Sequence, residues 1–156
     1  MTVPYRKRIR LDRVAYGEPG SVWFATADTR DRMPVFTKPA SADYVVKVLR
    51  EQATKRGVSL LLYCVMPEHI HALAVVETGD LIAYLGAVKS ILANAWNARG
   101  HDGKLWQRSF HDSGVRRVED MDELIRYILQ NPVEEGLAQG WETYQWLGGT
   151  LIERAE

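Results

Sequence analysis

The sequence predicts an α+β fold: an antiparallel sheet of four to five strands with helices packed on one face. Two observations carry this. Short runs of β-branched and aromatic residues alternate with helical periodicities in the order β-α-β-β-α-β-α. Two of the runs, Val58–Met66 and His69–Glu77, are separated only by Pro67-Glu68, which calls for a tight hairpin between antiparallel strands.

Each element has its own signal. Ser21–Ala27 (SVWFATA) is a strand by composition, and residues 28–40, polar and broken by Pro34 and Pro39, form a loop. Ser41 can cap a helix that runs to about Arg56, with Val45, Val48, Leu49 and Gln52 on one face and Gly57 ending it. After the hairpin, Gly79-Asp80 opens a second helix. Leu81, Tyr84, Leu85, Val88, Ile91, Leu92, Ala95 and Trp96 make its apolar stripe, and Gly100 follows its end. Lys104–Val115 carries a fourth strand. Met121, Leu124, Ile125, Ile128 and Leu129 define a last helix, expected to stop at Asn131 because proline disfavours helical geometry in the residue before it. Residues 133–150 read as a helical turn and a coiled tail. Strands split by helices around one central hairpin make a ferredoxin-like sandwich. A single domain over residues 1–156 is expected, with a basic arm at 1–13 and an irregular tail at 138–156.

Composition narrows the function. At 156 residues, 46% apolar and 26% charged, the chain has an ordinary globular balance. No apolar run approaches the roughly 18–20 residues of a membrane span, so no membrane partner is expected. No apolar core follows the N-terminus, so no secretory leader is expected. The single cysteine, Cys64, has no internal partner, which fits a reducing cytoplasm. Net charge is zero, yet residues 1–117 carry 18 basic and 11 acidic residues while 118–156 carry 2 and 9. Such asymmetry can mark a polyanion-facing surface, or an uneven spread over one solvated surface. The arm, with Arg6, Lys7, Arg8 and Arg10, is equally a phosphate contact or a solvated terminus.

Three groups of residues could carry chemistry. His69 and His71 are two apart, so on a strand they point to one face, half of a metal site or two unrelated hydrogen-bonded histidines. Tyr127 and Asn131 lie one turn apart on one edge of the last helix's apolar stripe. Tyr127 there is a reactive hydroxyl or a half-buried core residue. Lys104, Trp106, Arg108, Phe110, Arg116 and Arg117 interleave basic and aromatic side chains, a pattern that holds single-stranded nucleic acid by stacking and phosphate neutralisation, or that of a strand with aromatics inward.

Taken together, Met66-Pro-Glu-His-Ile-His71, Leu105-Trp-Gln-Arg-Ser-Phe110 with Asp112, and Tyr127-Ile-Leu-Gln-Asn-Pro132 with Gly136-Leu137 resemble the REP-associated tyrosine transposases. These are relatives of the insertion-sequence-200-like transposases within the His-hydrophobic-His (HUH) endonuclease superfamily. The resemblance spans roughly residues 20–147. It implies that His69, His71 and Asn131 bind Mg²⁺ or Mn²⁺, and that Tyr127 attacks single-stranded DNA beside a palindromic hairpin through a 5′-phosphotyrosine link. It also implies work at the nucleoid of a bacterium, as a monomer or a homodimer. Glu68 departs from the pattern, standing where relatives often have Asn. The rival is a catalytically silent module of the same fold that holds hairpin DNA, or an RNA-binding one that stacks bases on Trp106 and Phe110.

Overall fold

The computed structural model describes residues 13–115 and 118–152, with side chains other than those of 13 and 109–119. Five strands, β1 (Val22–Thr29), β2 (Val58–Val65), β3 (His69–Val76), β4 (Trp106–Val115) and β5 (Leu147–Gly148), form one antiparallel sheet in the order β4-β1-β3-β2-β5. Three helices complete the fold: α1 (Pro39–Lys55), α2 (Leu81–Ala98) and α3 (Val118–Glu134). The expected α+β class and the β2–β3 hairpin are present.

The packing of the helices differs from expectation, because both sheet faces are apolar. Trp23, Ala25 and Ala27 of β1 and Ile70, Ala72 and Ala74 of β3 share a core with Val45, Val48 and Leu49 of α1 and Tyr84, Leu85 and Val88 of α2. The alternate residues Phe24 and Leu73, with Leu62 and Cys64 of β2 and Met66 just after it, form a second core with Leu124 and Ile128 of α3. So α1 and α2 cover one face and α3 covers the other. Leu124 and Ile128 are fully buried there, each contributing about 2 kcal/mol by loss of apolar surface to water. A register shift between Leu60 and Leu62 lets β2 serve both cores, with Val58 and Leu60 facing α1 and Leu62 and Cys64 facing α3.

Two helix boundaries also move. Helix α1 starts at Pro39 rather than after Ser41; its N-cap is Lys38 in extended geometry, and proline suits the first helical position because its missing N–H needs no partner. Helix α3 does not stop at Asn131 but continues to Glu134 with Pro132 inside it. Pro132 gives up only its own bond in the last turn, while Glu135 N–H still donates to Asn131 O (3.1 Å) and Leu137 N–H to Pro132 O (2.8 Å). Gly136, at φ +75°, then closes the turn in the left-handed region. The tail is not merely irregular: Tyr144 and Leu147 are buried in the second core and β5 pairs with β2. The basic arm, including Arg6, Lys7, Arg8 and Arg10, lies outside the described residues apart from position 13.

Candidate active site

Strand alternation and helix pitch bring the expected residues together on the α3 face of the sheet. His69 and His71 project there from β3, beside Leu73. Their rings lie 4.5 Å apart, edge to face. Because α3 packs on this face, Tyr127 and Asn131 meet them. The Tyr127 ring stands 5.3 Å from that of His71, also edge to face, and 6.1 Å from Phe24. Asn131 Oδ1 is 2.9 Å from His69 Nε2. His69, His71 and Asn131 are buried, at 5%, 2% and 7% exposure, while Tyr127 is half-buried.

The polar atoms of this cluster are incompletely paired. His71 Nδ1 lies 2.9 Å from Thr26 Oγ1 on the neighbouring strand, where Thr26 and His71 are register partners. Its Nε2 is buried and makes no hydrogen bond. Burial holds the His71 pKa well below the usual histidine range; His69 nearby adds to this, the Asn131 amide opposes it, and Arg32 adds a little more. His71 is therefore neutral. The tautomer that donates Nδ1–H to Thr26 Oγ1 keeps a lone pair on Nε2, and the one that accepts from the Thr26 hydroxyl carries an N–H there. A buried ring nitrogen without a partner costs free energy in either tautomer unless something engages it.

His69 has oxygen atoms at both ring nitrogens: Asn131 Oδ1 at Nε2, and Glu68 Oε1 at Nδ1, each 2.9 Å away. A neutral imidazole satisfies only one of them. A proton on Nε2 serves Asn131 and leaves Nδ1 against a carboxylate. A proton on Nδ1 serves Glu68 and leaves His69 Nε2, His71 Nε2 and Asn131 Oδ1 as neighbouring lone-pair donors. That donor set, two imidazoles and an amide oxygen, suits a divalent cation with positions left open. Among the described residues, no group of three or more His, Cys, Asp and Glu is placed to hold an ion, so two histidines and an amide are the candidate.

Tyr127 keeps its proton at neutral pH. Burial raises its pKa, followed by Glu134; Arg32 acts in the opposite direction, and Asp28 and Glu135 reinforce the rise.

The remaining expected residues are scattered. Lys104 and Arg108 are exposed. Trp106 is a correction: it is buried in the first core at 8% exposure, tilted against Phe36, with its indole N–H donated to Lys89 O. It offers no face to a base, because the apolar alternation that suggested stacking points the ring inward. Phe110 lies on β4 and its side chain is outside the described ones; Arg116 and Arg117 are outside the described residues. Sequence reasoning missed Thr26, whose signal was a hydroxyl between Ala25 and Ala27 in a mostly apolar strand. It also missed Arg32, whose guanidinium reaches Asp28, Glu68 and His69 from an irregular loop and had no signal.

Comparison with known proteins identifies the family and the fold. The model of the family described as "Transposase IS200 like" matches residues 25–131, which include His69, His71, Tyr127 and Asn131. A solved REP-associated tyrosine transposase bound to a REP hairpin superposes with a TM-score of 0.74 at 18% identity, over 96% of this chain and 95% of its own. A candidate transposase from Deinococcus radiodurans R1 gives a TM-score of 0.54 at 22% identity, over 78% of this chain and 95% of its own. No curated protein sequence matches significantly. No helix among the described residues is long and apolar enough to cross a membrane.

Proposed function

The chain belongs to the IS200-like transposase family, and from that premise we propose that it cleaves and rejoins single-stranded DNA with Tyr127 as the nucleophile. The observation that carries this reading is the unpaired, buried His71 Nε2 beside the Tyr127 ring. A buried ring nitrogen without a partner, one side chain from a hydroxyl on a packed helix, supports a site that takes a cation and a reacting phosphate.

His69, His71 and Asn131 would hold the cation, Mg²⁺ or Mn²⁺. When bound, it supplies charge neutralisation for the non-bridging oxygens of a phosphodiester. The chain's own groups do the rest. Packing of Leu124 and Ile128 fixes α3 against the sheet, which fixes where the Tyr127 oxygen stands relative to the histidines. That oxygen bonds to phosphorus, the bond from phosphorus to the 3′-oxygen breaks, the phenolic proton is released and the departing 3′-oxygen takes one up. The resulting 5′-phosphotyrosine keeps the bond energy, so a 3′-hydroxyl can reverse the step. The neutral donor set binds a hard cation weakly before DNA arrives, which ties cation loading to substrate.

For the substrate we propose single-stranded DNA beside a hairpin, supported by the fold shared with a transposase whose structure holds a REP hairpin. Incubation of the protein with labelled hairpin DNA and Mg²⁺ tests the reading. A covalent protein–DNA band on a denaturing gel is expected; no band with either Mg²⁺ or Mn²⁺ would leave a DNA-holding module of the same fold.

A further inference from the structure

Beside the candidate ligands lies a second group of side chains, Glu68, Arg32 and Asp28. Glu68 forms the hairpin turn before His69, and its Oε1 is 2.9 Å from His69 Nδ1. The same oxygen is 3.2 Å from Arg32 Nη2, which is also 3.3 Å from His69 Nδ1. Arg32 Nη1 reaches Asp28 Oδ1 at 3.5 Å. One arginine thus spans two carboxylates at the rim of the site.

The backbone around this group is tightly fastened. Thr29 N–H donates to Glu68 O (2.9 Å), Phe36 N–H to Pro67 O (2.9 Å) and Arg30 N–H to Leu105 O (2.9 Å). The buried Thr29 hydroxyl lies within hydrogen-bonding reach of both Met33 O (2.8 Å) and Glu68 O (3.0 Å). Between these ties, Asp31 and Arg32 sit at φ +53° and +52°, in the left-handed region that non-glycine residues seldom adopt. Two successive residues there cost on the order of 1 kcal/mol each and persist only where the surroundings hold them. The strained turn is what delivers the Arg32 guanidinium to Glu68 and His69.

We propose that Glu68, held by Arg32, is a positioning residue that keeps the His69 proton on Nδ1 and so presents Nε2 as a lone-pair donor to the cation. The inference rests on the reading of His69 as a ligand. Both ring nitrogens have an oxygen at 2.9 Å, so charge selects the tautomer: Glu68 presents a carboxylate and Asn131 a neutral amide oxygen. With Nδ1 protonated, Glu68 Oε1 accepts from both the imidazole and Arg32, and His69 Nε2 and Asn131 Oδ1 are left facing each other as the lone pairs a cation would take up. With Nδ1 bare, Nε2–H donates to the neutral Asn131 Oδ1, but the Nδ1 lone pair faces a carboxylate oxygen at 2.9 Å and has only the longer Arg32 contact to offset it. A carboxylate behind a ligating histidine both orients the ring and raises its basicity, and its removal typically costs 10- to 100-fold in metal affinity. Arg32 in turn keeps Glu68 on the histidine instead of letting it turn to solvent.

The test uses the full chain without DNA and reads two quantities. Nitrogen-15 spectra of the histidine side chains, assigned by loss of signal in His69→Gln, report which nitrogen of His69 carries the proton. Mn²⁺ titration followed by the electron paramagnetic resonance of the free ion reports cation affinity. Wild type is expected to show Nδ1–H at His69. Glu68→Ala is expected to lose that preference and to bind Mn²⁺ 10- to 100-fold more weakly. Glu68→Gln, whose amide oxygen still accepts from Nδ1–H, is expected to restore the tautomer and most of the affinity. Arg32→Met is expected to fall between the two. An unchanged His69 tautomer in Glu68→Ala would overturn the proposal, as would Glu68→Gln behaving like Glu68→Ala. Failure of the underlying reading has a different signature: His69→Gln would then bind Mn²⁺ as well as wild type does, while the tautomer spectra would still report on Glu68.

Discussion

Thr26 Oγ1 and His71 Nδ1 lie 2.9 Å apart across the β1–β3 pair, and this contact decides which nitrogen of the more deeply buried histidine is left free. It also supplies a prediction. Thr26→Val keeps the side chain's shape and removes the hydroxyl. The hydrogen bond itself is worth about 1 kcal/mol, so the protein should still fold. Cleavage of single-stranded DNA at limiting Mg²⁺ should fall by roughly 10- to 100-fold, the range for loss of a partner behind a metal-ligating histidine. Excess Mg²⁺ should recover part of it. A cleavage rate equal to wild type at every Mg²⁺ concentration would show that Thr26 does not orient His71.

The cation itself is tested by its removal. Protein stripped of metal and held in excess EDTA should form no covalent adduct, and Mg²⁺ or Mn²⁺ should restore it. His71→Ala should abolish adduct formation, because it deletes the proposed ligand whose Nε2 has no hydrogen-bond partner. Asn131→Ala should slow the reaction without abolishing it, since water can replace one neutral ligand. Adduct formation in EDTA at the full rate would return both histidines to a purely structural role.

Much of this arrangement was legible in the sequence, because it follows from periodicity. The two-residue spacing of His69 and His71 fixed a shared strand face, and the four-residue spacing of Tyr127 and Asn131 fixed a shared helix edge. What periodicity does not encode is which sheet face a helix covers. Phe24, Leu62 and Leu73 create a second apolar face, and α3 takes it. Pro132 suggested a helix end, yet the helix runs past it and keeps Asn131 in helical register with Tyr127. Trp106 misled because an inward-facing aromatic and a base-stacking one have the same alternation. Thr26 and Arg32 depend on strand register and on a left-handed turn, neither of which single-residue patterns disclose.

The packing of α3 should matter to activity through geometry. Ile128→Val trims one methylene from a fully buried side chain next to Tyr127 in sequence and costs about 0.5–1.5 kcal/mol. The protein should remain folded by circular dichroism. The rate of adduct formation should drop more than DNA affinity does, because a loosened helix displaces the nucleophile and not the phosphate grip. Equal losses in rate and affinity would argue against that division.

The charge asymmetry makes a separate prediction about DNA. If the basic portion of the chain grips phosphates, the logarithm of single-strand affinity should fall with the logarithm of salt at a slope of about −0.7 per phosphate contact. Neutralising Arg6, Lys7 and Arg8 together should flatten that slope by about two units. A slope unchanged by the triple substitution would mark the arm as a spectator.

The central claim is that the Tyr127 oxygen becomes covalently joined to DNA. Tyr127→Phe removes that single atom from a half-buried ring and leaves the ring packing against His71 and Phe24 available. Labelled single-stranded hairpin DNA is incubated with each protein and Mg²⁺, then resolved on a denaturing gel. The account predicts a protein-linked DNA band for wild type and none for Tyr127→Phe, with DNA binding retained by both. A band of equal yield from Tyr127→Phe would contradict it.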